Sequence, residues 1–547
     1  MDRRTFIKSS LLATGSLVFG SASLGLFPSC SGKRHSGLLP FPDRVTVDGI
    51  PLSMANGKFV SGDLLVSIDD GTVSLAGPSR PVSFVKLTWF TPLRSSVKVL
   101  GDHWERGYGD LEWKSVFPCG IIPSYFILYD GSRCTGYGVK TGCNAFCRWE
   151  YTPDSISLIL DVRNGTGGVS LDGRKLHMAT LVTLQSQEGQ SPFSFARDFC
   201  GLMCDSPLLP SAPVYGINDW YFAYGRNSDA LIMQTVEMME GLVPDVSNRP
   251  FCLIDDGWAQ QVPGLEARGA WADNYFTPNS KFPDMGSLAS RIKKKDMRPG
   301  LWMRPLVAGP SVPDSLLLHG GDAPLRDPTL PENVEYLRKC FSTYKEWGYE
   351  MVKHDFSTYD IFGKWGFEMF SSGDMTSGSW AFHDRSITSA EAVKNLYKEI
   401  RSAAGDIILI GCNTFSHLSA GLFEIQRTGD DTSGREWART LKMGVNTLAF
   451  RQCQHNVFYS ADPDCVGLTT EVPWEKNRQW MNLVARSAAP LFISAQPEAM
   501  GPEQKESVRE CFAIASVNDS VGEPLDWLAS KTPSRWKLQG EIMEFDW

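Results

Sequence analysis

The sequence has few of the features that mark a nucleic-acid or membrane partner. In 547 residues there is no dense block of Lys and Arg, and the formal net charge is −9. The one basic cluster, Arg291 with residues 293–295, is typical of the solvated end of a helix. An acidic chain without a basic patch has little attraction for phosphate backbones or anionic lipid. This argues against nucleic acid or an anionic membrane surface as the main partner.

Signatures of cofactors and metals are also scarce. No Gly-rich dinucleotide loop and no cysteine cluster motif accompanies the strands, which argues against an exported cofactor oxidoreductase. The pairs Cys143-x-x-x-Cys147 and Cys200-x-x-x-Cys204 have a spacing found in metal sites, but no matching His pair accompanies them. We therefore expect core or disulfide cysteines, with neither a metal nor a cofactor at the site.

The N-terminus has the pattern of a targeting segment. Residues 2–8, DRRTFIK, resemble a twin-arginine export signal, and residues 9–27 form an apolar stretch rich in small residues. Cys30 follows in a loose lipobox. We expect residues 1–30 to direct export to the periplasm or cell envelope, and the lipobox predicts a lipid anchor through Cys30.

The rest of the chain divides into three parts. Residues 31–205 carry short alternating runs such as SISLILDV, broken by Gly, Pro, Asp and Asn, which is typical of an antiparallel β-sandwich. The proline-rich segment SPLLPSAPVYG leads into residues 206–505, where strands alternate with amphipathic helices. A short β-rich tail, residues 506–547, completes this multidomain prediction.

Eight strand-like runs in the second part predict a (β/α)₈ TIM barrel. The runs are VYGINDWYF, PFCLIDDGW, RPGLWMRPL, YEMVKHDFS, DIILIGCNT, AGLFEIQRT, NVFYSADPD and PLFISAQ. In such a barrel the active site lies where the strands end. In VKHDFS, Lys353 and Asp355 alternate along a strand, so both side chains should face the barrel mouth together.

Carboxylates and tryptophans collect at these strand ends. The strand ends carry Asn218, Asp219, Trp220, Asp255, Asp256, Trp258, Trp302, Arg304, Lys353, Asp355, Cys412, Asn413, Arg427, Asp430, Asp431, Asp462 and Asp464. Many carboxylates suit either a divalent cation or sugar hydrolysis by a carboxylate pair, but only the second gives the aromatics a function, since apolar sugar faces stack on them. A carbohydrate is therefore the expected partner.

The motifs LIDDGWAQ, RPGLWMRPLV, VKHDFS, GCN, RTGDDTS and SADPD resemble the catalytic barrel of the α-galactosidases of glycoside hydrolase families 27 and 36, in clan D. The resemblance covers about residues 210–500 and implies a retaining two-carboxylate mechanism that releases terminal α-linked galactose. The implied roles are Asp355 as nucleophile, Asp430 as acid/base, Asp255 and Asp256 on the O4 and O6 hydroxyls, Lys353 on the sugar, Trp220 and Trp302 as aromatic walls, Cys412 towards C2, and Arg427 and Trp258 as further binding residues.

Some choices stay open at this stage. Matching Thr428-Gly429-Asp430 to the family motif favours Asp430 as the acid/base, whereas counting from Arg427 selects Asp431. Arg304 and His354 depart from the family pattern, and the usual Gly-rich arginine loop is missing after Cys412. These departures concern the glycone rather than the two-carboxylate mechanism. An α-N-acetylgalactosaminidase, a β-L-arabinopyranosidase or a non-catalytic carbohydrate-binding homologue are the alternatives, and the sequence does not determine the linkage, aglycone or oligomeric state.

Overall fold

A computed structural model describes residues 39–77, 79–262, 272–318, 324–376 and 378–547. The predicted export signal, including Cys30, lies outside these residues. The described residues form one compact unit. Among the described helices, none combines the length and the apolar character needed to cross a membrane.

The N-terminal part is an antiparallel sheet that folds into two layers. In the described residues its fourteen strands follow the order β8-β7-β10-β11-β14-β5-β4-β3-β2-β1-β6-β13-β12-β9. The strands are β1 Arg44–Val47, β2 Ile50–Ala55, β3 Lys58–Ser61, β4 Leu64–Asp69, β5 Thr72–Ala76, β6 Phe84–Trp89, β7 Lys98–Gly101, β8 Lys114–Ser115, β9 Ile121–Pro123, β10 Tyr125–Tyr129, β11 Cys134–Val139, β12 Phe146–Thr152, β13 Ser155–Asp161 and β14 Leu176–Gln185.

Aromatic side chains hold the two layers together. Phe126 of β10 and Trp149 of β12 lie ten strands apart in the sheet order, yet their ring centroids are 5.7 Å apart. Trp149 also stacks on Trp89, and it is completely buried. A sheet that packs its own faces together in this way buries an apolar core between two layers. The predicted N-terminal antiparallel sandwich is confirmed.

The second part is a parallel sheet. Within the described residues it has nine strands in the order β21-β20-β19-β18-β17-β16-β15-β23-β22. The strands are β15 Tyr215–Asn218, β16 Phe251–Ile254, β17 Arg298–Met303, β18 Met351–His354, β19 Ile408–Gly411, β20 Ile425–Arg427, β21 Ser460–Asp462, β22 Cys465–Leu468 and β23 Leu491–Ala495. Each predicted strand-like run contains one of these strands, and β22 directly follows the seventh run.

The two ends of this parallel sheet lie close together. Its end strands β21 and β22 are consecutive in the chain, and only Pro463 and Asp464 separate them. Three peptide steps span at most about 11 Å, so the sheet curls until its ends meet. No ladder of hydrogen bonds joins β21 to β22 in the described part of the chain. The predicted parallel sheet is therefore confirmed, but in the described residues its ladder is open between β21 and β22, so the closure predicted for the barrel is not shown.

Amphipathic helices follow most strands of the parallel sheet. The helices are α1 Pro192–Met203, α2 Trp220–Ala223, α3 Asp229–Glu240, α4 Met285–Lys293, α5 Pro331–Trp347, α6 Ser357–Phe362, α7 Gly366–Ser372, α8 Ser389–Ala404, α9 Ser416–Ser419, α10 Trp437–Thr440, α11 Thr447–Arg451, α12 Trp474–Arg486 and α13 Pro502–Ala515. Helix α8 begins with a capping box in which Thr388 and Glu391 bond each other's backbone N–H groups. A π-helical segment, Leu441–Asn446, joins α10 to α11.

A loop of the sandwich, residues 102–113, reaches the parallel sheet and is called the bridging loop below. The Gly107 N–H donates to the Thr428 carbonyl at 2.7 Å, and the Asp430 N–H donates to the Gly107 carbonyl at 3.0 Å. Asp102 forms a buried ion pair with Arg451 at 2.7 Å. The sandwich therefore packs directly against the end of β20.

The C-terminal tail forms a small antiparallel sheet of β24 Glu523–Pro524, β25 Arg535–Leu538 and β26 Glu541–Glu544. The predicted β-rich tail therefore has strands between residues 523 and 544, whereas residues 506–515 of the predicted tail belong to helix α13.

The twelve cysteines within the described residues are free thiols. Eleven of them are buried and Cys119 is exposed. Burial of a thiol in an apolar core is its commonest role in proteins. The cysteines were expected to be either core residues or disulfide partners, and the buried ones in the described part of the chain are core residues.

Candidate active site

A pocket of about 390 Å³ opens at the carboxyl ends of the parallel strands. It is lined by Arg106, Trp220, Asp255, Asp256, Trp302, Lys353, Asp355, Phe356, Trp365, Asp430 and Asp431. Eight of these residues were predicted site residues, and they come from β15 to β20 or from the turns that follow these strands. Parallel strands end at a common edge, which explains why residues more than 200 positions apart meet here.

Asp355 follows β18, and two elements hold its carboxylate. The Trp302 indole N–H donates to Oδ2 at 3.1 Å, and the Phe356 backbone N–H donates to Oδ1 at 2.7 Å. Phe356 has a φ of 67°, a left-handed conformation that a bulky residue rarely adopts. That conformation turns its N–H back onto the Asp355 carboxylate. Both oxygens therefore accept a hydrogen bond in a fixed orientation.

Asp255 and Lys353 form a buried ion pair beside Asp355. The Lys353 ammonium donates to Asp255 Oδ2 at 2.7 Å, and Asn218 donates to the same oxygen at 2.8 Å. Burial acts to lower the pKa of Lys353, but the Asp255 carboxylate outweighs it and the pKa lies above its usual value. Lys353 therefore stays charged next to Asp355.

Asp219 supports this pair from behind. Its Oδ1 accepts the Asp255 backbone N–H at 2.7 Å, and its Oδ2 accepts the Asn227 amide at 2.7 Å. Burial, together with the nearby Asp255 charge, raises the pKa of Asp219 to about 7. Asp219 thus fixes the turn that presents the pair Asp255 and Asp256 to the pocket.

The two aspartates after β20 have different surroundings. Asp430 is held between two guanidinium groups, Arg106 and Arg439, each at 3.0 Å. Asp431 lies farther from its partners, at 3.3 Å from Arg427 and 3.9 Å from Arg106, and its side chain is 39% exposed against 21% for Asp430. Burial acts to raise the pKa of Asp431, but Arg427 and Arg106 outweigh it and the pKa lies below its usual value.

Three predicted site residues lie behind the pocket wall and do not line it. Trp258 is completely buried, and its indole N–H donates to the Trp302 carbonyl at 2.9 Å, so it supports Trp302 from the core. Cys412 is also buried, with its Sγ at 3.4 Å from Arg427 Nη1. Arg427 forms an ion pair with Asp464 at 2.9 Å.

Arg304, which departs from the family pattern, has a structural partner. Its guanidinium forms a buried ion pair with Asp360 at 2.5 Å and lies 4.4 Å from the centre of the Phe356 ring. A cation over an aromatic face stabilises the ring in that position. Arg304 therefore holds the Phe356 ring in place. Because the Phe356 backbone N–H donates to Asp355, Arg304 also helps to orient the Asp355 carboxylate.

Three pocket residues, Arg106, Phe356 and Trp365, were not predicted to belong to the site. Phe356 directly follows Asp355, but nothing in the sequence reveals its left-handed backbone. Trp365 comes from the long segment after β18. Arg106 belongs to the bridging loop, where an unusual density of charged and aromatic residues is the only signal in the sequence.

Comparison with known proteins identifies the fold. Neither a protein-family model nor a curated protein matches the chain. TtGalA, an α-galactosidase from Thermus thermophilus solved with p-nitrophenyl α-D-galactopyranoside, has a TM-score of 0.61 and 17% identity, covering 92% of this chain and 99% of its own. A variant of the GH36 α-galactosidase AgaA from Geobacillus stearothermophilus, with 1-deoxygalactonojirimycin, has a TM-score of 0.57 and 12% identity, covering 90% and 75%.

A GH31 sulfoquinovosidase from E. rectale is also similar, with a TM-score of 0.55 and 9% identity, covering 90% of this chain and 80% of its own. The chain thus has a fold found among glycoside hydrolases. More specifically, its sandwich and parallel sheet have the fold of the α-galactosidases TtGalA and AgaA, and the resemblance predicted from the sequence is confirmed for the fold.

Proposed function

We propose that this chain is a retaining exo-glycoside hydrolase that releases terminal α-linked galactose from oligo- or polysaccharides. The observation that carries the proposal is one pocket in which Asp355, oriented by two donors, shares the lining with the carboxylates that follow β20. Retaining glycosidases need such a pair, one carboxylate as nucleophile and the other as acid and then base. We also take β21 and β22 as two halves of one strand, so that the sheet acts as a (β/α)₈ barrel.

Asp355 is the proposed nucleophile. Its two oxygens accept hydrogen bonds from Trp302 and from the Phe356 backbone, which orient the carboxylate for attack on the anomeric carbon. The new bond joins an Asp355 oxygen to that carbon while the glycosidic oxygen leaves with a proton from the acid. Water, deprotonated by the same residue, then cleaves the ester.

Asp431 is the acid/base that the surroundings favour, in place of Asp430, which the sequence motif favoured. A general acid must lose and regain a proton during turnover. Both carboxylate oxygens of Asp430 are occupied by ion pairs with guanidinium groups at 3.0 Å, whereas Asp431 has longer contacts and a more exposed carboxyl that a glycosidic oxygen can approach. Because the Asp431 pKa is lowered, we expect activity to fall with rising pH from an acidic optimum, as the acid loses its proton.

The galactose preference rests on Asp255 and Asp256, which line the pocket beside Lys353. The complexes of TtGalA with p-nitrophenyl α-D-galactopyranoside and of AgaA with 1-deoxygalactonojirimycin support the same preference here. Carboxylates that accept from O4 and O6 discriminate strongly against a sugar that leaves them unpaired, because an unsatisfied buried acceptor is costly.

A panel of p-nitrophenyl glycosides tests the proposal. We expect α-galactoside to be cleaved fastest, with α-glucoside, α-N-acetylgalactosaminide and β-L-arabinopyranoside far slower. Faster cleavage of either of the last two substrates would reassign the glycone, and faster cleavage of α-glucoside would remove the galactose preference. No cleavage of any substrate, with sugar binding retained, would indicate a carbohydrate-binding homologue.

Chemical rescue separates the two aspartates. Asp431→Ala should lose much more rate on substrates with poor leaving groups than on activated aryl glycosides, and azide should restore part of the rate. Asp430→Ala is the matched control on the neighbouring residue, and its loss should not depend on the leaving group. The opposite result would return the acid/base role to Asp430.

Export with a lipid at Cys30 remains part of the proposal, on the basis of residues 1–30 alone. We expect the protein in the membrane fraction of the native host and Cys30→Ser in the aqueous fraction. An unchanged distribution would contradict the anchor.

A further inference from the structure

Arg106 is the one pocket residue that the sandwich contributes, among those described. Its side chain is 6% exposed and points into a group of four partners. Nη2 lies 3.0 Å from Asp430 Oδ1, while Nη1 lies 3.9 Å from Asp431 and 3.8 Å from Cys412 Sγ. The guanidinium carbon lies 5.3 Å from the centre of the Trp365 ring. One cation thus contacts both candidate acid/base residues and an aromatic wall.

The backbone on both sides of Arg106 is fixed to the parallel sheet. Gly107 pairs with the segment after β20 through the two hydrogen bonds to Thr428 and Asp430. Glu105 accepts hydrogen bonds from the Asn413 amide and from the Gly366 backbone N–H, the latter at 2.8 Å. These contacts give the guanidinium a defined position, as a preorganised group in an active site requires.

We propose that Arg106 is a positioning residue of the catalytic centre, which holds Asp430 in an ion pair and orients the neighbouring Asp431 for proton transfer. The inference rests on the proposed function, because it assigns Arg106 to the same reaction. Because Arg106 belongs to the bridging loop, this role would make the sandwich a part of the active site as well as a packing partner of the parallel sheet.

The charges around the two aspartates support distinct roles. Asp430 forms an ion pair with Arg106 through Oδ1 and with Arg439 through Oδ2, so both of its oxygens face cations. Two charge-assisted contacts restrain the carboxylate in one orientation. The backbone of Asp430 continues directly into Asp431, so a fixed Asp430 also fixes where the Asp431 carboxyl enters the pocket.

Several elements place ionisable groups around Asp431. These groups are Arg427 at the end of β20, Arg106 from the bridging loop, Lys353 on β18, Arg439 on α10, Tyr221 on α2, the adjacent Tyr224 and the neighbouring Asp430. Arg106 is the second-largest of the four cationic influences that keep the Asp431 pKa below its usual value. Removing its charge should therefore raise that pKa and shift the loss of the acid proton to higher pH.

The test compares Arg106→Gln, which removes the charge, with Arg106→Lys, which keeps the charge but loses the two separate Nη groups of the guanidinium. We expect Arg106→Gln to lose about tenfold to hundredfold in kcat, as misplaced catalytic groups do, and its basic limb of kcat/KM to move to higher pH. Arg106→Lys should keep the wild-type pH profile and still lose about tenfold in kcat, because a lysine cannot hold Asp430 and Trp365 at once.

A second readout needs no substrate. Carbon-13 carboxyl signals of labelled aspartate, with Asp431 assigned through Asp431→Asn, report the pKa of Asp431 directly. We expect this pKa to be higher in Arg106→Gln than in the wild type and in Arg106→Lys. If the wild type cleaves no glycoside but this shift appears, the proposed function fails while the coupling of Arg106 to Asp431 stands.

Two results would overturn the inference. One is an Asp431 pKa and pH profile that do not change in Arg106→Gln, and the other is an Arg106→Lys variant with wild-type kcat. Lys531→Gln is the matched control, since Lys531 forms an exposed ion pair with Glu112 of the same bridging loop at 3.0 Å. It should leave kcat and the pH profile unchanged.

Discussion

The carboxylate of Asp355 accepts one hydrogen bond on each oxygen, from Trp302 and from the Phe356 backbone. An asparagine has a similar shape and keeps one of these two acceptors, so we expect Asp355→Asn to fold. It should lose essentially all turnover, because the covalent route is gone. Thermal unfolding and kcat on p-nitrophenyl α-galactoside check both parts. A variant with near wild-type kcat would remove Asp355 from the mechanism.

His354, between Lys353 and Asp355, makes a different contribution. It is completely buried between the rings of Tyr397 and Phe423, and among the described residues neither of its ring nitrogens has a hydrogen-bond partner. Burial lowers its pKa from 6.5 to about 3. The unfolded chain therefore binds a proton below about pH 6.5 that the folded protein does not, and this share of the stability is lost as pH falls towards about 3.

We expect His354→Leu to remove this share of the pH dependence. The free energy of unfolding of the wild type should fall more steeply than that of the variant between pH 6.5 and 4, by up to roughly 1.4 kcal/mol per pH unit. Urea unfolding at several pH values measures both slopes. Equal slopes would show that His354 is protonated in the folded protein.

At the scale of elements, the segment after β20 depends on close contact with the π-helical segment. A Cβ on Gly429 would lie 2.0 Å from the Met443 carbonyl oxygen and 2.5 Å from Thr447 Oγ1. We expect Gly429→Ala to cost roughly 1–3 kcal/mol of stability, as overpacking does, and to lower kcat by moving Asp430 and Asp431. Chemical denaturation and kinetics measure the two effects.

Gly201→Ala is the matched control. Gly201 lies in α1, and a Cβ there would meet nothing within 4 Å. Gly201→Ala should leave kcat unchanged. It should raise the free energy of unfolding by roughly 0.5–1 kcal/mol, because alanine loses less conformational entropy than glycine when a helix forms. If Gly429→Ala and Gly201→Ala changed the stability and kcat by the same amounts, the close contact at Gly429 would not be needed for either.

At the scale of the whole molecule, the sandwich and the parallel sheet share buried polar contacts. Arg451 is 0% exposed and its ion pair with Asp102 joins the two parts at 2.7 Å, while Gln454 donates to the other Asp102 oxygen at 2.6 Å. Removing one member of a buried pair leaves an uncompensated charge, which typically costs roughly 3–5 kcal/mol.

We therefore expect Arg451→Met to lower the free energy of unfolding by roughly 3–5 kcal/mol. Lys140→Gln, which breaks an exposed pair with Asp205 at 2.6 Å, should cost roughly 0–1 kcal/mol. Circular dichroism and tryptophan fluorescence should give coincident transitions, since the described chain is one compact unit. Two separate transitions in the wild type would contradict this shared stability.

The sequence by itself determined the order of elements and most of the pocket. Strand alternation placed Lys353 and Asp355 on one face, and the edge rule for parallel strands gathered Asp255, Asp256 and Trp302 beside them, because both signals are local and repeat with a fixed period. Eight of the eleven lining residues were predicted in this way.

Only the tertiary structure decided what depends on distant contacts. Arg106 meets Asp430, more than 300 residues away, and this contact distinguishes Asp430 from Asp431, which no periodic pattern separates. Trp258 is an aromatic residue at a strand end and was therefore expected to line the pocket. It is buried instead, because α5 and its neighbours pack around it. Local sequence patterns determine which face of a strand a side chain occupies and at which edge of the sheet it lies. Ion pairing and burial, in contrast, depend on atoms that come together only when the whole chain has folded.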